Sequence, residues 1–138
     1  MLRRIKMTDF FQQILDDAKP CHFIRPWGRI CGYQWGGDKV RYVLLHGGYG
    51  TWAHWIKIVK PLSLTGGVLA LDMPGFGLSD LPPKHDDAHA LAYEIDEALS
   101  SVDLDPSCVL AGFSFGGVIA GHLARMIEGR ISHLALIA

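Results

Sequence analysis

The sequence lacks the features that would suggest a membrane or a nucleic-acid partner. No stretch of its 138 residues approaches the roughly 18 consecutive apolar residues that a membrane-spanning helix requires. Neither sign of charge is in excess, because 13 Lys and Arg residues stand against 14 Asp and Glu residues. The formal net charge of −1 gives the chain no basic field to attract a phosphate backbone. We therefore expect no membrane span and no nucleic-acid partner.

Cysteine is scarce, and its spacing indicates neither a metal site nor a disulfide framework. The three cysteines are an odd number without a Cys-x-x-Cys pair, so a secreted disulfide-bonded protein is not expected. His85 and His89 stand four residues apart in a polar segment without a third ligand, so no metal site is predicted there. The N-terminus has charges every few residues and no apolar core of a signal peptide. These features favour a cytoplasmic protein with reduced thiols.

Apolar segments of strand length alternate with amphipathic segments along most of the chain. The spacing predicts an N-terminal helix within residues 1–20, a β-hairpin over 21–39 and alternating strands and helices over 40–138. The strands predicted in this last region are 40–46, 66–72, 108–113 and 133–138, and the helices are 52–60, 91–102 and 115–128. Because these strands are apolar without clean alternation, they indicate a mostly parallel sheet with helices on both faces.

The sharpest motif is Gly-Phe-Ser-Phe-Gly-Gly at residues 112–117, between a predicted strand and a predicted helix. A serine at a tight strand-to-helix turn exposes its hydroxyl above the sheet, and its strained backbone needs small neighbours, here Gly112 and Gly116. The turn also aims the backbone N–H of Phe115 at charge developing on an attacked carbonyl oxygen. We therefore predict that Ser114 is a nucleophile. The alternative is a Gly-Ser turn that only begins a helix.

A glycine-rich segment, HGGYG at residues 46–50, follows the first strand of the predicted parallel sheet. Glycines at this position let backbone N–H groups face a substrate oxygen. Such loops also bind phosphate. However, the chain has no G-x-x-x-x-G-K-[ST] motif, and Gly75-x-Gly77 lacks the third glycine of a dinucleotide fingerprint. Stabilisation of an oxyanion is therefore favoured over phosphate binding.

Three segments, LLHGGYGTWAHW, LDMPGFGLSD and GFSFGG, resemble the motifs of the α/β-hydrolase superfamily in order and spacing. The resemblance covers about residues 22–138 and is to bacterial members of the esterase and carbon–carbon-bond hydrolase type. It implies an α/β-hydrolase fold, preceded by the N-terminal helix and β-hairpin, in which residues 1–138 form the N-terminal part of a single domain. That part would end after the strand that follows the nucleophile helix. No metal or organic cofactor is implied.

The resemblance also implies roles for individual residues. The oxyanion hole would be formed by the backbone N–H of Phe115 and that of Gly48, with Tyr49 as second choice. Residues 72–79 match the family's D-x-P-G-x-G-x-S turn, which shapes the loop beside the site and is not catalytic. The candidates for the substrate pocket are Trp52, His46 and Phe113. Trp52 could equally anchor the first helix of the parallel region on the sheet.

The catalytic acid and histidine of the family's triad are not apparent in this chain. Members carry them in the chain order Ser, acid, His, well after the nucleophile strand. His122 lies among apolar residues of the nucleophile helix and is predicted to be packed, and His133 opens the last strand at the wrong end of the sheet. His46 and His54 lie near the predicted site, but the family's base comes from neither position.

We therefore expect the N-terminal part of a longer serine hydrolase, inactive by itself. Its substrate would be a carboxylic ester, thioester or carbon–carbon bond of a small molecule, attacked by Ser114 to form an acyl-enzyme. A serine here argues against the aspartate-nucleophile branches, namely dehalogenases and epoxide hydrolases. The alternatives are a non-catalytic binding or regulatory protein that keeps the hydrolase pocket, and an acyltransferase.

Overall fold

The N-terminal part of the chain forms a helix followed by a β-hairpin. The computed structural model describes residues 6–138. Helix α1 spans Met7–Asp16, strand β1 spans Lys19–Arg25 and strand β2 spans Gly28–Trp35. The two strands pair antiparallel, with Arg25 opposite Gly28. The predicted N-terminal helix and hairpin are confirmed, and residues 1–5 of the range predicted to hold the helix lie outside the described residues.

The rest of the chain alternates between strands and helices. Its elements are β3 (Val40–Leu45), a 3-10 helix (Trp52–Trp55), α2 (Val59–Ser63), β4 (Gly67–Asp72), α3 (Ala88–Leu99), β5 (Leu104–Phe113), α4 (Phe115–Met126) and β6 (His133–Ile137). The single helix predicted over 52–60 is therefore two short helices. Pro61 explains the interruption, because proline is accommodated in the first turn of a helix but not in its interior.

The six strands form one mixed sheet in the order β1-β2-β4-β3-β5-β6. The hairpin strands run antiparallel, whereas β4, β3, β5 and β6 are parallel to one another. This confirms the predicted mostly parallel sheet. Strand β5 begins four residues earlier than predicted, and its register against β3 shifts between Leu104 and Val109. Pro106 lies in this irregular stretch, where its missing N–H removes a ladder hydrogen bond.

Helices cover both faces of the sheet. On one face, Leu91 and Ile95 of α3 and Ile119 and Leu123 of α4 are buried in a common core. On the other face, α1, the 3-10 helix and α2 bury a second core that includes Trp35. Every residue of β4 is buried, which explains its uninterrupted apolar sequence. Among residues 6–138, no helix is long and apolar enough to cross a bilayer.

This topology brings two loops together at the carboxyl ends of the parallel strands. Strands β3 and β5 are parallel neighbours, and Leu45 at the end of β3 pairs with Gly112 near the end of β5. The glycine-rich loop after β3 and the serine turn after β5 therefore emerge side by side. A cleft outside the carboxyl ends of parallel strands is the usual place for ligands in folds of this kind.

Candidate active site

Ser114 lies in the tight turn between β5 and α4. Its backbone adopts φ 52° and ψ −117°, a conformation that residues with a Cβ rarely take. The side chain is exposed, and its hydroxyl makes no capping hydrogen bond to the helix that follows. The Ser114 N–H donates to the carbonyl of Ile137 at 2.8 Å, which ties the turn to β6. The turn therefore presents an unengaged hydroxyl at the surface on a strained backbone.

Two glycines make this turn possible. A Cβ at Gly112 would clash with the backbone of the first turn of α4, including the Cα of Gly117 at 2.7 Å. A Cβ at Gly116 would clash with the carbonyl oxygens of Leu45 and His46. Backbone atoms have no rotamer by which to move aside, so both positions require glycine. The Gly112 contact places α4 close to β5, and the Gly116 contact places it close to the end of β3.

The glycine-rich loop, residues 46–50, leaves two N–H groups free beside this turn. The Gly50 N–H donates to the Gly47 carbonyl at 3.1 Å, and the Gly47 N–H donates to His54 Nδ1 at 3.1 Å. Among residues 6–138, the N–H groups of Gly48 and Tyr49 have no hydrogen-bond partner. Tyr49 holds a positive φ of 57°, and its side chain is fully exposed.

A third N–H group lies next to these two. Phe115 is the first residue of α4, and the first N–H groups of a helix have no partner within it. A Cβ built on Gly48 would lie 3.8 Å from the Cβ of Phe115, so the loop and the helix start are in contact. This arrangement brings donors from two elements close to Ser114, and the helix dipole adds positive potential there. It can stabilise a developing negative charge on an oxygen.

The buried side chains of His46 and Asp72 form hydrogen bonds that connect the loops around this site. His46 is buried, its Nδ1 donates to the Gly47 carbonyl at 2.7 Å, and its Nε2 accepts from the Met73 N–H at 3.0 Å. Burial lowers the pKa of His46, in keeping with a neutral ring. The buried Asp72 carboxylate accepts from the N–H groups of Trp52 at 2.8 Å and Leu78 at 3.0 Å. The D-x-P-G-x-G-x-S turn is thus joined to the start of the 3-10 helix.

Two depressions open near the turn. The larger, about 790 Å³, is lined by Ser114 and by residues of α4 and the end of β6, of which Val118 and Leu136 are exposed apolar side chains. The smaller, about 260 Å³, is lined by His54, Trp55 and Phe113. The larger depression also reaches Ala138, which follows β6.

Of the three pocket candidates, two lie elsewhere than the sequence led us to expect. Phe113 lines the smaller depression, but His46 and Trp52 are 0% and 5% exposed and line neither depression. The Trp52 ring packs 5.3 Å from that of Trp35, so it anchors the 3-10 helix on the sheet. For both residues, the expected pocket-lining role is corrected to support of the surrounding loops. His54, which was not among the expected pocket residues, lines the smaller depression.

Among residues 6–138, no hydrogen bond joins the Ser114 hydroxyl to a histidine ring. His54 Nδ1 is occupied by the Gly47 N–H, and His133 Nδ1 lies 2.8 Å from the Ser132 hydroxyl. His122, predicted to be packed, is exposed, and its ring lies 5.8 Å from that of His89. Among residues 6–138, no group of three or more His, Cys, Asp or Glu side chains could hold a metal ion.

Comparison with known proteins finds similar chains of several enzyme classes. A family model described as the alpha/beta hydrolase fold matches residues 43–138. The chain is 37% identical over 103 residues to a pimeloyl-(acyl-carrier protein) methyl ester esterase of Pseudoalteromonas atlantica, covering 74% of this chain and 38% of that protein. It is 33% identical over 136 residues to epoxide hydrolase 4 of Mus musculus, covering 94% of this chain and 34% of that protein.

A solved structure agrees with these matches at the level of the fold. The haloalkane dehalogenase DatA of Agrobacterium tumefaciens superposes with a TM-score of 0.77 at 23% identity, covering 88% of this chain and 41% of that one. The chain therefore spans well under half the length of the proteins that it matches.

Proposed function

Because this chain belongs to the alpha/beta hydrolase fold family, we propose that it carries the nucleophile and the oxyanion hole of a serine hydrolase. The observation that carries the proposal is the exposed Ser114 hydroxyl on a backbone of φ 52° and ψ −117°, beside N–H groups that have no partner. A serine that only began a helix would have no need of this strain, and its hydroxyl would ordinarily cap the helix.

In the proposed reaction, Ser114 Oγ attacks the carbonyl carbon of a small-molecule ester while a base takes the hydroxyl proton. The N–H groups of Phe115 and of Gly48 or Tyr49 donate to the oxygen that becomes negative. The bond from the carbonyl carbon to the leaving alkoxide then breaks, and the alcohol departs with the proton. Water, deprotonated by the same base, hydrolyses the acyl-enzyme and frees Ser114.

We assign the base and its acidic partner to residues outside 6–138. The two histidines nearest the site, His46 and His54, are engaged with the glycine-rich loop. The relatives are two to three times as long as this chain, which leaves ample sequence in a protein of their length for both groups. By this proposal the 138 residues alone do not turn over substrate.

The substrate class is the carboxylic esters, with thioesters and activated carbon–carbon bonds as related electrophiles. A pimeloyl-(acyl-carrier protein) methyl ester esterase is among the relatives. An acyltransferase would use the same acyl-enzyme, and a faster reaction with an added alcohol than with water would identify it.

The test is hydrolysis of p-nitrophenyl esters by the native gene product, comparing the unsubstituted protein with Ser114→Ala. Loss of the nucleophile is expected to lower kcat by about 10³-fold or more. Ser100→Ala is the matched control, because Ser100 is exposed and its hydroxyl donates only to the Glu97 carbonyl. Unchanged turnover in Ser114→Ala would overturn the proposal. A folded protein without turnover would favour a binding protein instead.

A further inference from the structure

His54 is exposed, and its ring packs against the glycine-rich loop. Its ring lies edge-on to those of His46 and Phe113, with centroid separations of 5.9 Å and 5.8 Å. A Cβ at Gly50 would clash with the imidazole, so the loop closes tightly around it. The contact with Phe113 links His54 to the residue that directly precedes Ser114.

The hydrogen bond of His54 determines which N–H groups the loop offers to substrate. His54 Nδ1 accepts from the Gly47 N–H, and the Gly47 carbonyl accepts from His46 Nδ1 and the Gly50 N–H. Both polar groups of Gly47 are thus engaged within this cluster, whereas the N–H groups of Gly48 and Tyr49 have no partner among residues 6–138. Tyr49 holds a positive φ, which is unfavourable for a side chain with a Cβ, so the loop conformation depends on such contacts.

Resting on the function proposed above, we propose that His54 is a positioning residue that holds the glycine-rich loop in the conformation competent to stabilise the oxyanion. Nδ1 accepts a hydrogen bond, so the neutral ring carries its proton on Nε2. Protonation of the ring would place an N–H at Nδ1 against the N–H of Gly47. Two donors cannot pair, and the contact would be lost. The loop is therefore donor-competent only while His54 is neutral.

The surroundings of His54 support this assignment. The titratable ring that faces it is His46, whose neutral form is favoured by burial that lowers its pKa. Phe113 presents an apolar ring, and the Asp72 carboxylate accepts from the Trp52 N–H at the start of the same 3-10 helix.

The kinetic test compares His54→Ala with His54→Asn in the native gene product. Asparagine Oδ1 can accept from the Gly47 N–H as Nδ1 does, whereas alanine cannot. We expect alanine to lower kcat about 10-fold or more with a smaller change in KM, because donors to the oxyanion act mainly in the transition state. Asparagine should restore kcat to within about threefold of the unsubstituted protein. Equal losses in both variants would overturn the proposal.

A second measurement is independent of turnover. In ¹⁵N NMR spectra, the His54 ring should show the Nε2–H tautomer, and the Gly47 amide resonance should titrate together with that ring. His89→Asn is the matched control, because His89 is exposed on α3 and takes no part in the loop. A Gly47 amide that ignores His54 titration would overturn the proposal even where turnover is normal. Absence of Ser114-dependent turnover with the expected NMR response would instead refute the proposed function alone.

Discussion

The backbone at Ser114 stores conformational strain that a substitution can release. Its φ of 52° with ψ of −117° is a region that glycine enters freely and that other residues enter only at a cost. Ser114→Gly and Ser114→Ala both remove the hydroxyl, but only alanine keeps the Cβ. The stability difference between these two variants therefore reports the strain, separated from any effect of the nucleophile.

The expected magnitude follows from two opposing terms. A non-glycine residue in such a region costs of order 1–3 kcal/mol. Glycine loses about 0.5–1 kcal/mol more backbone entropy on folding than alanine. We therefore expect Ser114→Gly to be more stable than Ser114→Ala by about 1 kcal/mol, which corresponds to a Tm higher by roughly 2–8 °C.

Ser100 provides a matched pair for the assay. It also lies next to a helix end, but its φ of −60° and ψ of −26° are ordinary helical values. Urea unfolding of the four variants should show glycine more stable than alanine at position 114 and less stable at position 100. The difference between the two comparisons is the strain itself. The same sign at both positions would refute the argument that the serine turn is strained.

Three further predictions follow from contacts around the site. Gly116→Ala should cost about 3 kcal/mol or more because its Cβ meets backbone, whereas Gly121→Ala, in the same helix with open space around it, should stabilise by about 0.5–1 kcal/mol in urea unfolding. Burial lowers the pKa of His46, so on acidification the unfolded chain binds more protons than the folded chain. The urea midpoint should therefore fall as pH is lowered through the histidine range. It should fall less in His46→Gln. Burial raises the pKa of Cys108 to about 11, so a thiol reagent at pH 8 should modify this residue only after the protein unfolds. Peptide mapping that finds rapid labelling of Cys108 in the native protein would contradict its burial.

Much of the fold could be predicted because the determining signals are local. The apolar run of β4 needs only burial on both faces of a sheet, and the six residues are all buried. In the serine turn, the end of a strand, the glycines at 112 and 116 and the start of a helix lie close together in the sequence. The geometry of the turn therefore follows mainly from steric requirements between near neighbours.

The supporting residues could not be predicted because they depend on contacts between distant segments. Trp52 and Trp55 are three residues apart in a 3-10 helix, where such positions share a side, and both are buried. Trp52 packs against Trp35 of the hairpin, whereas Trp55 lines the smaller depression, and the spacing of the two residues does not distinguish these roles. Likewise, periodicity places His122 among apolar neighbours, but α3 leaves its ring at the surface beside His89.

The most direct test of the central claim is covalent labelling of the native gene product with a fluorophosphonate, followed by peptide mapping. The reagent reacts with a serine hydroxyl that an adjacent base and an oxyanion hole activate. We expect one adduct, on Ser114, that is lost after unfolding and in Ser114→Ala. A folded protein that forms no adduct at Ser114, or one whose adduct persists in Ser114→Ala, would contradict it.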